Sequence, residues 1–531
     1  MMKKTTLLSL LLSFLFSSVI AQDKGEIPIS RKLQMAEFLI NKLYVDTLDE
    51  GKLVEAAIQG MLTELDPHST YSDPEEVKQF KESIEGQFEG VGIQYQIVQD
   101  TLFVIQTISN GPSEKAGVLA GDRIIKVDDT PIAGVNLPTS KIMKLLRGPR
   151  KSIVNITVLR RGESTPFTFD IKRDKIPVET IEASHLLNKE VGYIRLNQFG
   201  KNSSAEFTEQ LKVLKKRGML KLILDLRGNS GGYLEAAVEI ANHFLEAKQE
   251  IVSAKGARVD VGDFKAVGHG LFPDNELVIL IDEFSASASE IVAGAVQDWD
   301  RGVIIGRRSF GKGLVQRPID LFDGSMIRLT VARYYTPSGR SIQKPYVKGV
   351  DQRKEYRMDL INRIEKGELV SQDSIQLVDS LKYHTLLRNR PVYAGGGIMP
   401  DLFIPVDTLS VNDYFREVLR SGVLMESSIH YIEKYGDELK ERYLTSTEFV
   451  RDFKVDNELL SAVEDSSLTS SIENKLASRP QVKRYLKAFV ARDLWGLNAF
   501  YEVFNQDDPV VLKALEVLDD RSYKKILGFF N

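Results

Sequence analysis

The residues of this chain best suited to chemistry are three serines that alternate with alanines, Ser285, Ser287 and Ser289. They follow an apolar run typical of a buried strand (277–281) and precede a pattern typical of a helix (291–299). A turn of small residues gives a hydroxyl room to attack a substrate, and a helix N-terminus presents free backbone N–H groups. The same pattern is typical of a serine-rich helix cap, so by itself it leaves a structural role open.

A glycine-flanked lysine downstream could accept the proton of such a serine. Lys312 lies between Gly311 and Gly313, and Gln316 follows four residues later. A lysine acts as a base only when it is neutral, so it must be desolvated to lower its pKa from about 10.4. A glutamine can hydrogen-bond the amine without adding a negative charge that would raise this pKa. These residue types are consistent with a serine nucleophile and a lysine base.

Two other serines compete for the role of nucleophile. Ser230 lies in Gly-Asn-Ser-Gly-Gly (228–232), which matches the nucleophile elbow G-x-S-x-G, but no later histidine has a convincing strand-end setting. The glycines of this turn could instead present backbone N–H groups to an oxyanion. Ser309 matches S-x-x-K together with Lys312, but the flanking glycines favour a loop, and the companion S-D-N and K-T-G motifs are missing.

The first residues have the pattern of a secretory signal peptide. Lys3 and Lys4 precede an apolar run (7–20) that is too short to span a bilayer, and Ala21 is a small residue suited to cleavage. The chain has no cysteine, which excludes a lipoprotein anchor, disulfides and cysteine-ligated metals. We therefore expect cleavage after Ala21 and a periplasmic or otherwise exported protein with no stable membrane span after signal removal.

Composition narrows the classes of function further. The formal net charge of −4 over 531 residues gives no electrostatic footprint for nucleic acid. No group of His, Asp and Glu has the spacing of a metal site, so we expect no metal and no other cofactor. The length allows three or four domains at roughly 100–200 residues each.

Hydrophobic patterns divide the chain into regions of different secondary structure. A helical period comes first, short alternating strands follow, and strands then alternate with helices as in βαβ units. We predict a multidomain α/β protein with these parts: a signal peptide (1–21), an N-terminal helical region (22–84), a β-rich domain (85–175), an α/β core (176–410) with a charged insertion at about 348–391, and a C-terminal helical accessory region (411–531).

Several motifs together resemble those of the C-terminal processing (tail-specific) serine proteases. Five segments occur in the family's order: Leu65–Ser69, Asp225–Gly232, Ser285–Ile291, Phe310–Gln316 and Tyr334–Ile342. The resemblance covers roughly residues 35 to 405 and implies a protease core of the ClpP/crotonase-like α/β class. The C-terminal tail is not covered by it.

The resemblance also implies roles for particular residues. Ser287 would be the nucleophile, because it meets the family's serine-to-lysine spacing and its two neighbours do not. Lys312 would be the general base and Gln316 the residue that orients it. The backbone N–H groups of Gly232 and Ala288 would form the oxyanion hole. By simpler physical arguments, Glu290 is expected to interact with the helix dipole, and His68 to make structural hydrogen bonds.

The segment Gly90-Val91-Gly92-Ile93 resembles the carboxylate-binding loop of a PDZ domain. Such a loop exposes backbone N–H groups to a terminal carboxylate, and an edge strand beside it pairs with an extended peptide. The helical pattern at 140–146 would form the other wall of the groove. The implied ligand is a protein or peptide with an apolar C-terminus, and a PDZ-like fold with an occluded groove is the alternative.

The sequence thus predicts an exported serine endopeptidase that binds substrate tails through a PDZ domain and cleaves them with a Ser–Lys dyad through an acyl-enzyme. Two alternatives stay open: a non-catalytic periplasmic peptide-binding or scaffold protein, and a hydrolase that uses Ser230. The sequence also leaves open a homodimer formed through the N-terminal helices and an adaptor bound by the C-terminal helices.

Overall fold

The computed structural model describes residues 29–407, 412–465, 470–519 and 522–529. The expected signal peptide (1–21) lies outside these residues. The chain forms two compact units, one up to Leu65 and one from Asp66 onward. The first contains the helices α1 (Ser30–Leu43) and α2 (Glu50–Thr63), as the helical spacing of its apolar residues predicts. Among the described residues, no helix combines the length and apolarity that a bilayer crossing needs.

The second unit begins with a short strand and a helix. They are β1 (Thr70–Ser72) and α3 (Pro74–Glu85). The helix starts at Pro74 because Asp73 and Glu76 form a reciprocal capping box and proline suits the first turn.

A β-rich domain follows, with one six-stranded sheet and a short two-stranded one. Its elements are β2 (Gln87–Gly90), β3 (Ile93–Val98), β4 (Thr101–Thr107), α4 (Pro112–Ala116), β5 (Arg123–Val127), β6 (Thr130–Pro131), α5 (Thr139–Leu146), β7 (Ile153–Leu159), β8 (Phe167–Lys172) and β9 (Asp174–Pro177). The main sheet has the order β3-β4-β5-β7-β8, with β6 on β5, so β3 is an edge strand. Helix α5 packs its apolar face, Ile142 and Leu146, into the core of this domain.

The α/β core is built on two sheets. Its elements are β10 (Ile181–Leu186), β11 (Val191–Leu196), α6 (Ser203–Lys216), β12 (Lys221–Asp225), α7 (Leu234–Asn242), β13 (Glu250–Lys255), β14 (Asp260–Lys265), β15 (Leu277–Ile281), α8 (Ala288–Asp298), β16 (Val303–Gly306), β17 (Leu314–Asp320), β18 (Met326–Tyr335), α9 (Val350–Glu365), β19 (Lys382–His384), β20 (Pro391–Tyr393) and β21 (Leu402–Phe403). The first sheet has the order β10-β11-β12-β15-β16-β21 and is parallel except for β10. The second has the order β1-β18-β13-β14, with β17 also paired to β18.

The parallel strands are apolar along their whole length because both faces of their sheet are covered. Alternate side chains such as Leu224 and Ile279 face α6, α7 and α8. The intervening ones, such as Ile223 and Val278, face the C-terminal segment of the chain. The carboxyl ends of β12, β15 and β16 therefore meet at one edge, where ligand sites form in sheets of this kind.

The C-terminal region is helical: α10 (Asp413–Ser421), α11 (Val423–Arg442), α12 (Ser446–Asp452), α13 (Asn457–Glu464), α14 (Ile472–Trp495), α15 (Leu497–Phe504), α16 (Pro509–Asp519) and α17 (Ser522–Ile526). The helices α10 to α15 share a core of their own. The last two instead bury Val511, Leu518 and Tyr523 against the main sheet of the α/β core. The helices α16 and α17 therefore take part in the packing of that core.

Candidate active site

Ser287 lies on a strained turn between a strand and a helix. It connects β15 to α8 with φ = 55° and ψ = −111°, a conformation that residues other than glycine rarely adopt. A nucleophile elbow has this kind of strained turn, because the strain holds the hydroxyl clear of the sheet. The hydroxyl of Ser287 donates no hydrogen bond to any residue in the described ranges.

The structure separates Ser287 from its two neighbours. Ser285 is fully buried, and its hydroxyl donates to the carbonyl of Leu226 at 2.8 Å. Ser289 is also fully buried and donates to the carbonyl of Asn229 at 2.9 Å. Ser289 therefore fastens the serine turn to the Gly-Asn-Ser-Gly-Gly turn, and Ser285 fastens it to Leu226 just before that turn, whereas Ser287 faces the cleft.

The Gly-Asn-Ser-Gly-Gly turn lies directly against Ser287. A Cβ on Gly231 would lie 2.8 Å from the Cβ of Ser287, and a Cβ on Gly232 would lie 2.0 Å from the carbonyl oxygen of Phe199. Only glycine allows this approach. In the part of the chain that the structure describes, the N–H groups of Gly232 and Ala288 donate to no protein acceptor, so both are available to an oxyanion.

Lys312 is held at the same cleft with its amine already oriented. Its Nζ donates to Oε1 of Gln316 at 2.8 Å, and Nε2 of Gln316 donates to the carbonyl of His68 at 2.6 Å. Burial, and then the charge of Arg328, lowers the pKa of Lys312 to about 8, against the opposing charges of Glu290 and Asp66. A substantial fraction of the amine is therefore neutral near physiological pH, as a general base requires.

These groups line one cleft of about 740 Å³. Its wall includes Ser287, Lys312 and Gln316, together with Gly231 and Gly232 of the Gly-Asn-Ser-Gly-Gly turn. The remaining lining includes an apolar set: Phe80, Ile84, Val259, Val261, Phe264 and Ile291. Among the described residues, no hydrogen bond joins Oγ of Ser287 to Nζ of Lys312.

Glu290 has a larger role than the helix-dipole interaction expected from its position. It is 1% exposed, and its carboxylate accepts the N–H groups of Ser287, Gly311 and Lys312 at 2.7, 2.7 and 2.9 Å and the hydroxyl of Ser309 at 2.6 Å. Burial raises the pKa of this carboxyl, and these four donors act in the opposite direction. One carboxylate thus joins the serine turn (285–289) to the glycine-flanked loop of Lys312 (311–313), called the lysine loop below.

Tyr334 makes a second connection between the two loops. Its hydroxyl lies 2.6 Å from the carbonyl oxygen of Lys312 and 3.1 Å from that of Ser287, and it can donate to both. The contacts of Glu290 and Tyr334 with the two loops are to backbone groups, apart from the hydroxyl of Ser309, so the residue types carried little signal of them.

The two rival serines differ from Ser287 in their settings. Ser230 is exposed on the rim of the cleft, and its backbone is not in the positive-φ region. Ser309 is fully buried, donates to Glu290 and accepts the N–H of Ile398 at 2.6 Å. Its match to S-x-x-K therefore corresponds to a structural hydrogen bond.

The loop at Gly90-Val91-Gly92-Ile93 has free donors beside an edge strand. The carbonyl of Val91 accepts from Ser113, and the carbonyl of Gly92 accepts from Ile108. The N–H groups of Val91 and Gly92 donate to no acceptor in the described ranges, so both can bind a carboxylate.

The groove itself lies between β3 and α5. The hydroxyl of Tyr95, on β3, contacts Sδ of Met143, on α5, at 2.6 Å. One side-chain contact therefore spans the groove in this conformation.

Four family models match the chain. They are peptidase family S41 (190–352), the PDZ domain (90–172), the N-terminal domain of the activating protease CtpB (17–76) and a family of unknown function (414–496).

Within the described ranges, no group of three or more His, Cys, Asp or Glu side chains could hold a metal ion.

Curated relatives extend the match. The carboxy-terminal-processing protease of Bartonella bacilliformis is 42% identical over 305 residues, which are 56% of this chain and 69% of that protein. The carboxy-terminal processing protease CtpB of Bacillus subtilis is 36% identical over 325 residues, 60% of this chain and 66% of that protein. A solved photosystem II D1 C-terminal processing protease is 31% identical over 60% of this chain and 84% of that chain, with a TM-score of 0.34. The chain therefore belongs to the C-terminal processing serine peptidases of family S41, with a PDZ domain.

Proposed function

We propose that this peptidase is an exported endopeptidase that uses a Ser287–Lys312 dyad and an acyl-enzyme to cut proteins near their C-termini. The observation that carries the proposal is the strained backbone of Ser287, at φ = 55°, on the wall of a cleft that also holds a buried lysine. A serine in this setting gains a base without a histidine, because burial makes the neutral amine accessible.

Acylation follows from this arrangement. Nζ of Lys312 takes the proton of Ser287 Oγ as the oxygen attacks the scissile carbonyl carbon. The N–H groups of Gly232 and Ala288 stabilise the resulting oxyanion. The C–N bond then breaks, the ammonium of Lys312 protonates the leaving amine, and the acyl group remains on Ser287.

Deacylation reverses the roles with water as the nucleophile. Neutral Lys312 removes a proton from a water molecule that attacks the ester, and Ser287 leaves with the proton returned by the ammonium. Gln316 accepts a hydrogen bond from the amine throughout both steps, so the lysine stays directed at the cleft.

The substrate proposal rests on the PDZ domain, which binds peptide C-termini. The free N–H groups of Val91 and Gly92 suit a terminal carboxylate, and the edge strand β3 can add an extended peptide. We propose apolar tails as the ligands, because the lining of the cleft also has an extended apolar part. Export is supported by the signal-peptide pattern of residues 1–21.

The test compares the protein without residues 1–21 with three variants on unfolded substrates that end in apolar residues. Ser287→Ala and Lys312→Ala should each lose kcat by roughly 10³-fold or more, since the nucleophile or the base is missing. Ser230→Ala should be far milder, because the oxyanion N–H groups survive the substitution. Cleavage by Ser287→Ala at the wild-type rate would contradict the proposed dyad. Loss of activity in Ser230→Ala alone would favour Ser230 as the nucleophile.

Export is tested separately. Expression of the full chain, followed by cell fractionation and N-terminal sequencing, should give an exported protein that begins at Gln22. A protein that keeps residues 1–21 in the cytoplasmic fraction contradicts the export proposal and leaves the catalytic one untouched. The non-catalytic alternative has lost its basis, since the chain belongs to a family of peptidases and keeps Ser287, Lys312 and Gln316.

A further inference from the structure

The amide of Gln316 can occupy its site in two orientations that differ only by a flip. In the observed one, Oε1 accepts from Nζ of Lys312 and Nε2 donates to the carbonyl of His68. A neutral amine that donates to Oε1 keeps its lone pair free for the proton of Ser287. In the flipped orientation, the NH₂ group would donate to that lone pair and block it.

The carbonyl of His68 determines which orientation is stable. It can only accept hydrogen bonds, so it pairs with the NH₂ group of Gln316 and repels the amide oxygen. A flip would also break the hydrogen bond that this part-buried carbonyl accepts from Nε2 of Gln316, which is unfavourable. The position of this one carbonyl therefore decides whether Lys312 can act as a base.

A buried turn fixes that carbonyl. The carboxylate of Asp66 accepts the N–H groups of His68 and Ser69 at 2.8 and 2.9 Å and the hydroxyl of Ser69 at 2.5 Å. Asp66 is 5% exposed and Ser69 is fully buried. An aspartate that binds successive backbone N–H groups in this way stabilises a tight turn.

The same turn is tied to the strand opposite Gln316. Thr330 is the register partner of Gln316 on β18, next to a bulge at Val331 of the same strand. Its N–H donates to Oγ of Ser69 and its hydroxyl donates to Asp66, both at 3.1 Å. The turn and the glutamine are thus positioned from one point of the sheet.

We propose that the turn Asp66–Ser69 is a positioning element of the catalytic site, which acts by holding the amide of Gln316 with its oxygen toward Lys312. The inference rests on the proposed dyad and deepens it. It assigns a role to the Asp-Pro-His-Ser motif in which the His68 carbonyl, and not the imidazole, contacts the catalytic machinery. The imidazole lies 2.8 Å from the hydroxyl of Tyr356, on the side of the lysine loop.

The chain offers a matched pair of serines for the test. Ser69 and Ser325 are both fully buried, and each gives its N–H and its hydroxyl to the carboxylate of an aspartate just before it. Ser325 lies at the far tip of the β17–β18 hairpin, bound to Asp323, and it does not contact Gln316. Ser69→Ala and Ser325→Ala therefore both remove a hydrogen bond from a serine hydroxyl to an aspartate, at the site and away from it, and Ser69→Ala also removes the acceptor of the Thr330 N–H.

Each variant is measured for kcat and KM on a tail-bearing unfolded protein across the pH range, and for its thermal midpoint. Ser69→Ala should lower the kcat plateau roughly tenfold with little change in KM, because binding groups are untouched and alignment is lost. The acidic limb of its kcat profile should move to lower pH. Oε1 of Gln316 stabilises the charged ammonium of Lys312, so loss of this contact lowers the pKa of the lysine. The charges of Arg328, Glu290 and Asp66, which also face the amine, stay in place.

Thr330→Val is the second variant, for the case in which Ser69→Ala does not fold, and the same result is expected of it. The inference is overturned if both behave like Ser325→Ala, or if the acidic limb moves to higher pH. Ser287→Ala distinguishes a failure of the proposed dyad from a failure of the positioning role. If that variant is inactive while Ser69→Ala matches Ser325→Ala, the dyad stands and only the positioning role fails.

Discussion

At the scale of residues, the burial of one amine sets the pH range of this enzyme. The pKa of Lys312 is lowered to about 8, so the neutral form that accepts a proton is the major one only above that pH. We expect kcat/KM to rise about tenfold per pH unit below this value and to level off above it. Peptide cleavage measured from about pH 5.5 to 9.5 checks the limb, and a flat profile from about pH 6 to 9 counts against a lysine base.

Gln316→Glu is the companion variant for this profile. A carboxylate beside the amine favours the ammonium, so it should raise the pKa of Lys312 and move the limb upward by roughly one unit or more. An unchanged limb would mean that residue 316 does not contact the base in solution.

Residue types alone left the choice among the serines open, and the family resemblance implied the three proposed catalytic side chains. Neither assigned a role to the groups that hold them. Ser287, Lys312 and Gln316 need particular functional groups, which a sequence displays. Glu290 and the turn at Asp66 act on backbone N–H groups and a carbonyl, which every residue has. Their roles therefore become visible only when distant loops lie side by side.

At the scale of elements, the turn at 228–232, which carries a proposed oxyanion donor, depends on Gly232 having no Cβ. Gly232 has φ = 149°, and a methyl group there would meet the carbonyl oxygen of Phe199. Gly232→Ala should displace the turn, abolish most cleavage and destabilise the fold by about 1–3 kcal/mol.

Gly262→Ala is the matched control for that substitution. Gly262 also has positive φ, at 95°, but a Cβ there would meet nothing within 4 Å. It should cost about 1 kcal/mol of stability from backbone strain alone and leave cleavage close to wild type. Equal loss of cleavage in the two variants, measured beside urea unfolding, would contradict the crowding argument.

The elements of the parallel sheet were easier to predict than those of the second sheet. The strands β12, β15 and β16 are buried on both faces and therefore appear as apolar runs. The strand β17 is exposed over most of its length and β14 over much of it, so neither has a strong apolar pattern. They pair with their neighbours in hairpins, β17 with β18 and β14 with β13. The pairings of β18 with β13 and with β1 join segments far apart along the chain, which no local pattern reports.

At the scale of the whole molecule, the C-terminal helices complete a core that begins hundreds of residues earlier. Val511 on α16 is fully buried against the main sheet, whereas the adjacent Leu512 is 46% exposed. Val511→Asp should lower the free energy of unfolding by roughly 3 kcal/mol or more, because it buries an unpaired charge. Leu512→Asp should change it by less than about 1 kcal/mol, and similar urea midpoints for the two would refute this packing.

The same region also reaches the PDZ domain. Ile429 on α11 packs with Val98, Phe103 and Ile105, and Glu433 pairs with Arg123. Helical periodicity alone could predict these helices, but it could not identify their two partners. The amphipathic pattern predicts that one face of a helix is buried, but it does not identify the segment that covers that face.

The pairing of Arg227 with Asp508 has a consequence for the order of events during synthesis. Arg227 adjoins the turn at 228–232, and its guanidinium binds both oxygens of Asp508 at 3.1 and 3.0 Å, just before α16. A growing chain that has already exposed Ser287 and Lys312 still lacks this partner and the cover of its main sheet. The ribosome therefore delivers these structural supports of the site well after its proposed reactive groups.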